Sequence, residues 1–276
     1  MLLTCTLYSS SVARASTLFG VENEAILAAS AVTSTGQTLI IGDLGIWPGL
    51  NAAITGFPPG TVQGTVNAGD SVAQQAQASA FGAYTTLAGL AFTTDLTGQD
   101  LGGKILTPGV YHFDSSAQLT GLLTLDAQGN NNALFVFQIG STLTTASASN
   151  VQVINGTSST ELYWQVGSSA TLGTTTNFAG NILASASITL NTGANILCGR
   201  AIALTAAVTL DNNTVSNNCS ESNGGSGRTD FGSYGFSGEA IPTPEPATFS
   251  LMGASLLGVA FLASRRKRSQ TSKVGS

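Results

Sequence analysis

The chain has 276 residues, of which only 8% are charged and 42% are hydrophobic, and its formal net charge is −5. Six of its nine basic residues lie in the first 15 residues or after residue 264, so residues 16–246 carry three basic residues against all 14 acidic ones. A body this acidic would repel phosphates, which excludes nucleic acid as a partner.

The first 15 residues combine a short apolar stretch with Ala13-Arg14-Ala15, which is typical of a signal-peptide cleavage site. We therefore assign residues 1–15 to a signal peptide and expect the protein to be exported. Cys5 would leave with the signal. The mature chain would then hold Cys198 and Cys219, and an even pair in an oxidising compartment predicts one disulfide.

Residues 16–219 form the body, whose length suits a single domain. Within it, residues 68–90 are rich in Ala and Gln, lack Pro and predict a helix that Asp70 or Ser71 caps and Gly89 ends. A narrow apolar face recurs along this segment at spacings of three and four, and it suits close packing on a flat surface. It consists of Val72, Ala76, Ala80, Ala83 and Leu87.

The rest of the body alternates in short β-like runs in which a Thr-Leu pair recurs every 18 to 29 residues. A repeat of this length with one short strand per copy predicts a β-solenoid, whose rungs stack through parallel main-chain hydrogen bonds. Side chains alternate along a strand, so inward leucines at 125, 143, 172, 190 and 210 place the preceding threonines in one outward column. The alternative is that threonine is simply a good strand residue. The predicted column is Thr124, Thr142, Thr171, Thr189 and Thr209, with Thr144 among the small residues beside it.

No catalytic or metal-binding constellation is visible, so the sequence predicts a protein that is not an enzyme and needs no cofactor or metal. His112 is the single histidine, and neither a zinc-ligand spacing nor a P-loop lysine occurs. Parallel β-solenoids include polysaccharide-degrading enzymes, for which Asp126 and Asp211 would supply two carboxylates on one outward column. Their contexts, DAQGNN and DNNT, are instead typical of Asx turns.

After the body, residues 220–242 have the composition of a flexible linker, and residues 243–276 form a tail. The tail contains an uncharged run over 247–263, which has the minimum length of a transmembrane helix. A basic cluster after it would hold its C-terminal end in the cytoplasm. The alternative is a buried core helix followed by solvated charges. The short motifs on either side are Pro244, Glu245 and Pro246 before the run, and Arg265, Arg266, Lys267 and Arg268 after it.

The order of these three parts, with the Pro-Glu-Pro motif first, then the uncharged run and then the basic cluster, resembles the bacterial PEP-CTERM sorting signal. The resemblance implies a precursor anchored in the membrane by the tail, removal of the tail by an exosortase-type transpeptidase, and a final location at the cell surface or outside the cell.

The body itself is similar, over about residues 20–215, to the large microbial ice-binding (antifreeze) protein family. The strings that carry the resemblance are GDLGIWPG, ITGFPPGTVQGTV, LTPGVYHF, LTLDAQGNNNALFVFQIGSTLTTA, WQVGSSATLGTTTNFAGNILA and GRAIALTAAVTLDNNTV. They imply a mainly β fold, a right-handed parallel β-solenoid of triangular section with the helix of residues 68–90 packed alongside. Residues of about 20–66 would form rungs that join those of the C-terminal half.

The family resemblance implies that the partner is an ice crystal surface, which members bind through one flat face. Some members carry a T-[A/G]-x-[T/N] motif, which occurs here as Thr35-Gly36-Gln37-Thr38 and Thr192-Gly193-Ala194-Asn195. Thr35, Thr38, Thr192 and Asn195 therefore mark an alternative ice face. Two functions remain open. One is an exported protein that adsorbs to ice and so inhibits its growth or recrystallisation, or attaches cells to it. The other is a non-catalytic structural or adhesive protein of the cell surface or exopolysaccharide matrix.

Overall fold

A computed structural model describes residues 21, 23–130, 132–157 and 160–218. Seven strands precede the only α-helix of this part of the chain: β1 (Glu24–Ala28), β2 (Val32–Thr35), β3 (Leu39–Ile41), β4 (Asp43–Ile46), β5 (Ile54–Thr55), β6 (Thr61–Gln63) and β7 (Val66–Ala68). The helix is α1 (Ser71–Ala88).

Fifteen strands follow α1. They are β8 (Thr94–Asp95), β9 (Ile105–Leu106), β10 (Gly109–Phe113), β11 (Ala117–Leu119), β12 (Leu122–Asp126), β13 (Leu134–Ile139), β14 (Leu143–Thr145), β15 (Asn150–Ile154), β16 (Glu161–Val166), β17 (Ala170–Leu172), β18 (Asn177–Ala184), β19 (Ile188–Leu190), β20 (Asn195–Ala203), β21 (Val208–Asp211) and β22 (Thr214–Ser216).

All strand pairs are parallel, and the strands stack on three faces of a prism, so the predicted mainly β solenoid is confirmed. Face 1 is a seven-stranded sheet in the order β11-β14-β17-β19-β21-β2-β5. Face 2 stacks β9, β12, β15, the first part of β18, the first part of β20, β22, β3 and β6. Face 3 stacks β8, β10, β13, β16, the remainder of β18 and of β20, β1, β4 and β7. A circuit of the chain through these faces is called a rung here.

The stacking is discontinuous along the chain. β1, β2 and β3 pair with β20, β21 and β22, so the first rungs of the chain are added to the last ones. β7 and β8 therefore lie at opposite ends of face 3. α1 joins these ends: its 18 residues correspond to roughly 27 Å of helix.

The interior of the prism contains a continuous aromatic stack. Trp164 is fully buried, with ring centroids 4.0 Å from Phe137 and 4.9 Å from Phe178, and Tyr111 lies 5.3 Å from Phe137 on the other side. The indole N–H donates to the carbonyl of Ala179 at 2.9 Å. Since these rings come from four successive rungs, they fix the rungs against one another.

α1 covers part of face 3, as the helical periodicity predicts. Asp70 caps it by accepting a hydrogen bond from the amide of Ala73 at 2.9 Å, and Gly89 follows its last turn. The buried face is Ala73, Ala76, Ala80, Ala83 and Leu87. Val72 was predicted to belong to this face and does not: it is 55% exposed, and Ala73 takes its place. No helix among the described residues is long and apolar enough to cross a membrane.

Candidate binding surface

A column of threonines runs along the middle of face 1. The register places Thr144 beside Thr171, Thr171 beside Thr189, and Thr189 beside Thr209. The N-terminal strands continue the column with Thr33 beside Thr209 and Thr55 beside Thr33. Parallel strands lie about 4.8 Å apart, so the six threonines cover about 24 Å. Gln118, the partner of Thr144, ends the column on the other side.

The neighbouring outward positions are small, which makes face 1 flat. Two residues before the column stand, rung by rung, Ser116, Thr142, Ser169, Ser187, Ala207, Ala31 and Ala53. Hydroxyl contacts join this row in pairs: Thr142 donates to Ser116 at 2.8 Å, and Ser169 and Ser187 are 3.0 Å apart. Two residues after the column stand Thr120, Ala146, Gly173, Asn191, Asp211 and Thr35. The exception is Phe57, which follows Thr55 at the end of the sheet and packs against the core.

The central hydroxyls are available to solvent. Thr33 donates weakly to Thr209 at 3.4 Å, whereas in the described part of the chain the hydroxyls of Thr144, Thr171 and Thr189 have no protein partner. Asp211 is the charged residue within these rows, and it accepts a hydrogen bond from the hydroxyl of Thr192. The face therefore presents methyl and hydroxyl groups with almost no charge.

The threonine column differs from the predicted one at two positions. Thr124 lies on face 2, where it is paired with Ile105 and Gln152. Thr142 lies in the flanking row, and Thr144 occupies the column instead. The physical reason is a two-residue register difference: Leu143 is level with Ala170 rather than with Leu172.

The inward position level with Leu172 on that rung belongs to Thr145, which is only 3% exposed. Its hydroxyl lies 2.9 Å from that of Thr176 and accepts from the amide of Gly173 at 2.8 Å, so the buried polar group is satisfied. The Thr-Leu repeat therefore places this rung two residues out of register, because its leucine, Leu143, comes before the column threonine and not after it.

Sequence reasoning also missed Thr33 and Thr55. The signal that finds them is the residue before the threonine, which is buried or half-buried and apolar in every member of the column. The six dipeptides are Leu143-Thr144, Ala170-Thr171, Ile188-Thr189, Val208-Thr209, Val32-Thr33 and Ile54-Thr55.

The alternative motifs lie at the vertex between faces 1 and 2. Thr35 and Thr192 are exposed there, and Asn195 is half-buried and accepts from the amide of Thr214 at 2.8 Å. Thr38 is 1% exposed and accepts from the amide of Asn213, so it cannot touch an external surface. Turns with a left-handed residue repeat along this vertex, at Ala148, Thr175, Gly193, Asn212 and Gly36.

Faces 2 and 3 are less suited to a flat contact. Face 2 carries protruding aliphatic residues, including Ile105 at 71% and Leu122 at 43% exposure. Face 3 is covered in part by α1, whose residues pack on Val136, Tyr163 and Leu183. Face 1 is therefore the one broad surface with a regular array.

The carboxylates considered for catalysis do not form a pair. Asp126 is on face 2, opposite Ile154, whereas Asp211 is on face 1, opposite Thr35. Asp126 accepts from the side-chain amide of Asn155 and from the amide of Gln128, both at 2.9 Å, and these bonds lower the pKa of its carboxyl. This is the Asx-turn role that the sequence indicates.

The other residues considered for catalysis or metal binding are likewise not clustered in the described part of the chain. His112 lies on face 3, with its Nε2 2.8 Å from Asp114 and its ring stacked on Phe92. Within the described ranges no group of three or more His, Cys, Asp or Glu could hold a metal ion. Cys198 is buried, while its predicted partner Cys219 and the sorting residues, Pro244–Pro246 and Arg265–Arg268, lie outside the described residues.

Comparison with known proteins agrees with this architecture. A family model described as Ice-binding-like matches residues 26–216, and one described as PEP-CTERM protein-sorting motif matches residues 242–267. The chain is 51% identical over 247 residues to an ice-binding protein of Nostoc sp. (strain HG1), covering 89% of this chain and 86% of that protein.

Two solved structures are similar in fold. The ice-binding protein of the Antarctic ascomycete Antarctomyces psychrotrophicus matches with a TM-score of 0.67 and 40% identity, covering 71% of this chain and 95% of the other. An ice-binding protein from an Antarctic biological consortium matches with a TM-score of 0.68 and 40% identity, covering 78% and 95%. The chain belongs to the Ice-binding-like family, a non-catalytic family, and carries a PEP-CTERM sorting motif at its C-terminal end.

Proposed function

We propose that this protein adsorbs to ice through face 1. The observation that carries the proposal is the column Thr144, Thr171, Thr189, Thr209, Thr33 and Thr55, which is in register across six neighbouring strands. Membership of the family and the names of the relatives support ice as the ligand.

The chemistry of the column suits a crystalline surface of water. Threonine has a stiff χ1, so a backbone repeat of about 4.8 Å becomes a repeat of methyl and hydroxyl groups at the same spacing. The hydroxyl anchors a water molecule and the methyl restrains its position. Uncharged neighbours leave this arrangement undisturbed, since charged side chains organise water around themselves.

The test is a bulky residue in the middle of the array. Thr171→Tyr should abolish most of the thermal hysteresis and prevent incorporation into growing ice, because a ring projecting from the column lifts several rungs off a flat surface. Thr124→Tyr, the same change on face 2, is the matched control and should leave both properties intact. Unchanged thermal unfolding of each variant shows that the fold is preserved.

Full activity of Thr171→Tyr would exclude face 1 as the contact surface. The vertex between faces 1 and 2 would then be tested by Thr192→Tyr, since Thr35, Thr192 and Asn195 lie there. Absence of ice activity in the unmodified chain would instead favour a structural or adhesive role in the cell-surface matrix.

We also propose that the chain is exported and that its tail is removed. The matched sorting motif supports this route, with residues 1–15 as signal peptide, 247–263 as membrane anchor of the precursor, and an exosortase-type enzyme as processing partner. The signal peptide, the anchor and the sorting motif lie outside the described residues. Intact mass of the protein from its host should show a chain that ends near Pro246, and a mature chain that retains Arg265–Arg268 would contradict the proposal.

A further inference from the structure

The threonine column of face 1 has different neighbours along its two halves. In the row before the column, the residues that precede β14, β17 and β19 carry hydroxyl groups, whereas those that precede β21, β2 and β5 are alanines. In the row after it, the first three of these rungs carry uncharged Ala146, Gly173 and Asn191, and the other three begin with Asp211. We call the rungs of β14, β17 and β19 the hydroxyl half and those of β21, β2 and β5 the Asp211 half.

The hydroxyl half is flat, and the hydroxyls of its column face solvent. A Cβ at Gly173 would lie 2.6 Å from the carbonyl oxygen of Thr145, so no side chain can project there. In the described part of the chain the hydroxyls of Thr144, Thr171 and Thr189 have no protein partner, and each can bond to an ordered water molecule. This half therefore offers an uninterrupted array to an ordered layer of water.

The carboxylate of Asp211 is a fixed charge on the first rung of the other half. One of its oxygens accepts a hydrogen bond from the hydroxyl of Thr192, and the other accepts a weak one from the side-chain amide of Asn212 at 3.4 Å. Asn212 is itself held by the backbone amide of Gln37, which donates to its side chain at 2.8 Å. Within the described ranges no basic residue forms an ion pair with Asp211. The charge therefore stays at this position of the face, and only neutral donors compensate it.

Ice accommodates such a charge poorly. Transfer of an ionised carboxylate out of liquid water without a cationic partner is strongly unfavourable. The molecules of an ice lattice are fixed in position and orientation, so they cannot turn their hydrogens toward the carboxylate as liquid water does. The water over Asp211 should therefore remain liquid, although the threonine column continues past it to Thr33 and Thr55.

We propose that Asp211 sets the boundary of the ice contact, so that ice binds to the hydroxyl half while liquid water covers the Asp211 half. This inference rests on the proposed function of face 1 and narrows the contact from six rungs to three. At about 4.8 Å per rung, the contact then spans about 10 Å of the column instead of about 24 Å. Asp211 thus limits the extent of ice binding, and removal of its charge should extend the contact.

The first test introduces the same charge into each half of face 1 in the full chain. Ser169→Asp and Ala31→Asp change half-buried residues of one row, the first in the hydroxyl half and the second in the Asp211 half. We expect Ser169→Asp to lose most of the thermal hysteresis, because its charge lies within the contact, and Ala31→Asp to keep that of the unmodified chain. Thermal unfolding shows whether each variant folds. Thr144→Asp, at an exposed position of the hydroxyl half, repeats the measurement if Ser169→Asp does not fold.

The second test removes the charge of Asp211. Asp211→Asn keeps an oxygen that can accept the hydrogen bond from Thr192, and it should raise the thermal hysteresis about twofold, because the contact grows from three rungs to six. Asp126→Asn, the same change on face 2, is the matched control and should leave the hysteresis unchanged. Adding Ala31→Asp to Asp211→Asn should cancel the gain, since it returns a charge to the same half.

The outcomes separate the boundary from the function of the face. Equal losses in Ser169→Asp and Ala31→Asp would show that ice covers both halves, which would overturn the boundary while face 1 remains the ice contact. An unchanged hysteresis in Asp211→Asn would overturn it as well. Full activity of Ser169→Asp together with full activity of Thr171→Tyr would instead refute the proposed function of face 1.

Discussion

Glu24 makes the stability of the domain depend on pH. It lies in β1, the strand that joins the N-terminal rungs to β20, and is only 2% exposed. Burial raises the pKa of its carboxyl from 4.5 to about 7, although the side-chain amide of Asn67 donates to it at 3.1 Å. The carboxylates of Asp43 and Asp70 raise this pKa further, and Arg200 lowers it.

The sign of the effect follows from proton binding. Between pH 4.5 and about 7 the folded protein holds a proton on Glu24 that the unfolded chain has released. The stabilisation from Glu24 is therefore complete below pH 4.5 and is lost as the pH rises through 7. At 1.36 kcal/mol per pKa unit the loss amounts to about 3 kcal/mol. For a domain of this size that corresponds to a fall in Tm of roughly 6–12 °C.

Thermal unfolding followed by circular dichroism between about pH 5 and pH 8 checks this prediction. The Tm of the wild-type protein should fall relative to that of Glu24→Gln, which mimics the protonated carboxyl at every pH. Asp95→Asn is the control: hydrogen bonds from Thr97 lower the pKa of Asp95, so its titration lies below this range. Wild-type and Glu24→Gln curves that run parallel over the whole range would refute the reasoning.

Three further predictions concern packing and cross-linking. Trp164→Ala should lower the free energy of unfolding by about 3–5 kcal/mol, measured by urea denaturation, because it interrupts the aromatic stack; a loss below 1 kcal/mol would contradict a rigid interior. Ala80→Leu should lower the free energy of unfolding by about 1–3 kcal/mol, because α1 packs closely on face 3. Val72→Ala, on the exposed side of α1, should leave it nearly unchanged. Equal effects of the two substitutions would contradict this orientation of the helix. Cys198 and Cys219 should be disulfide-bonded, so that denatured, unreduced mature protein has no free thiol and reduction costs about 3 kcal/mol; two reactive thiols would rule the bond out.

The sequence predicts those parts of the fold that depend on local periodicity. The helix was expected at 68–90 and spans Ser71–Ala88, with Asp70 and Gly89 at its ends, since capping and helical spacing are local properties. The solenoid follows from the repeat, and Thr171, Thr189 and Thr209 lie side by side on face 1 as expected.

The remaining errors come from turn length. Long connections at 127–133 and 155–160 lie between faces 2 and 3, so the early rungs contain more residues than the later ones. Leucines matched by sequence alone therefore fall on different faces, as Leu125 and Leu172 do. Thr33 and Thr55 escape the repeat because their rungs are added out of chain order, a long-range pairing that no local pattern encodes.

The discontinuous stacking also determines the order in which this chain can fold. β1–β7 pair only with one another and with β20, β21 and β22, so their anchoring partners are synthesised after more than a hundred intervening residues. Sheets closed by such distant contacts form slowly, because the entropy of ordering the intervening chain must be overcome first. The N-terminal strands must therefore wait until the last rungs are available for pairing. In the complete chain the amide of Ala29 donates to Ala206 and that of Leu39 donates to Asn213. A chain truncated before Asn195 should accordingly leave both amides open to hydrogen exchange, whereas the complete chain should protect them.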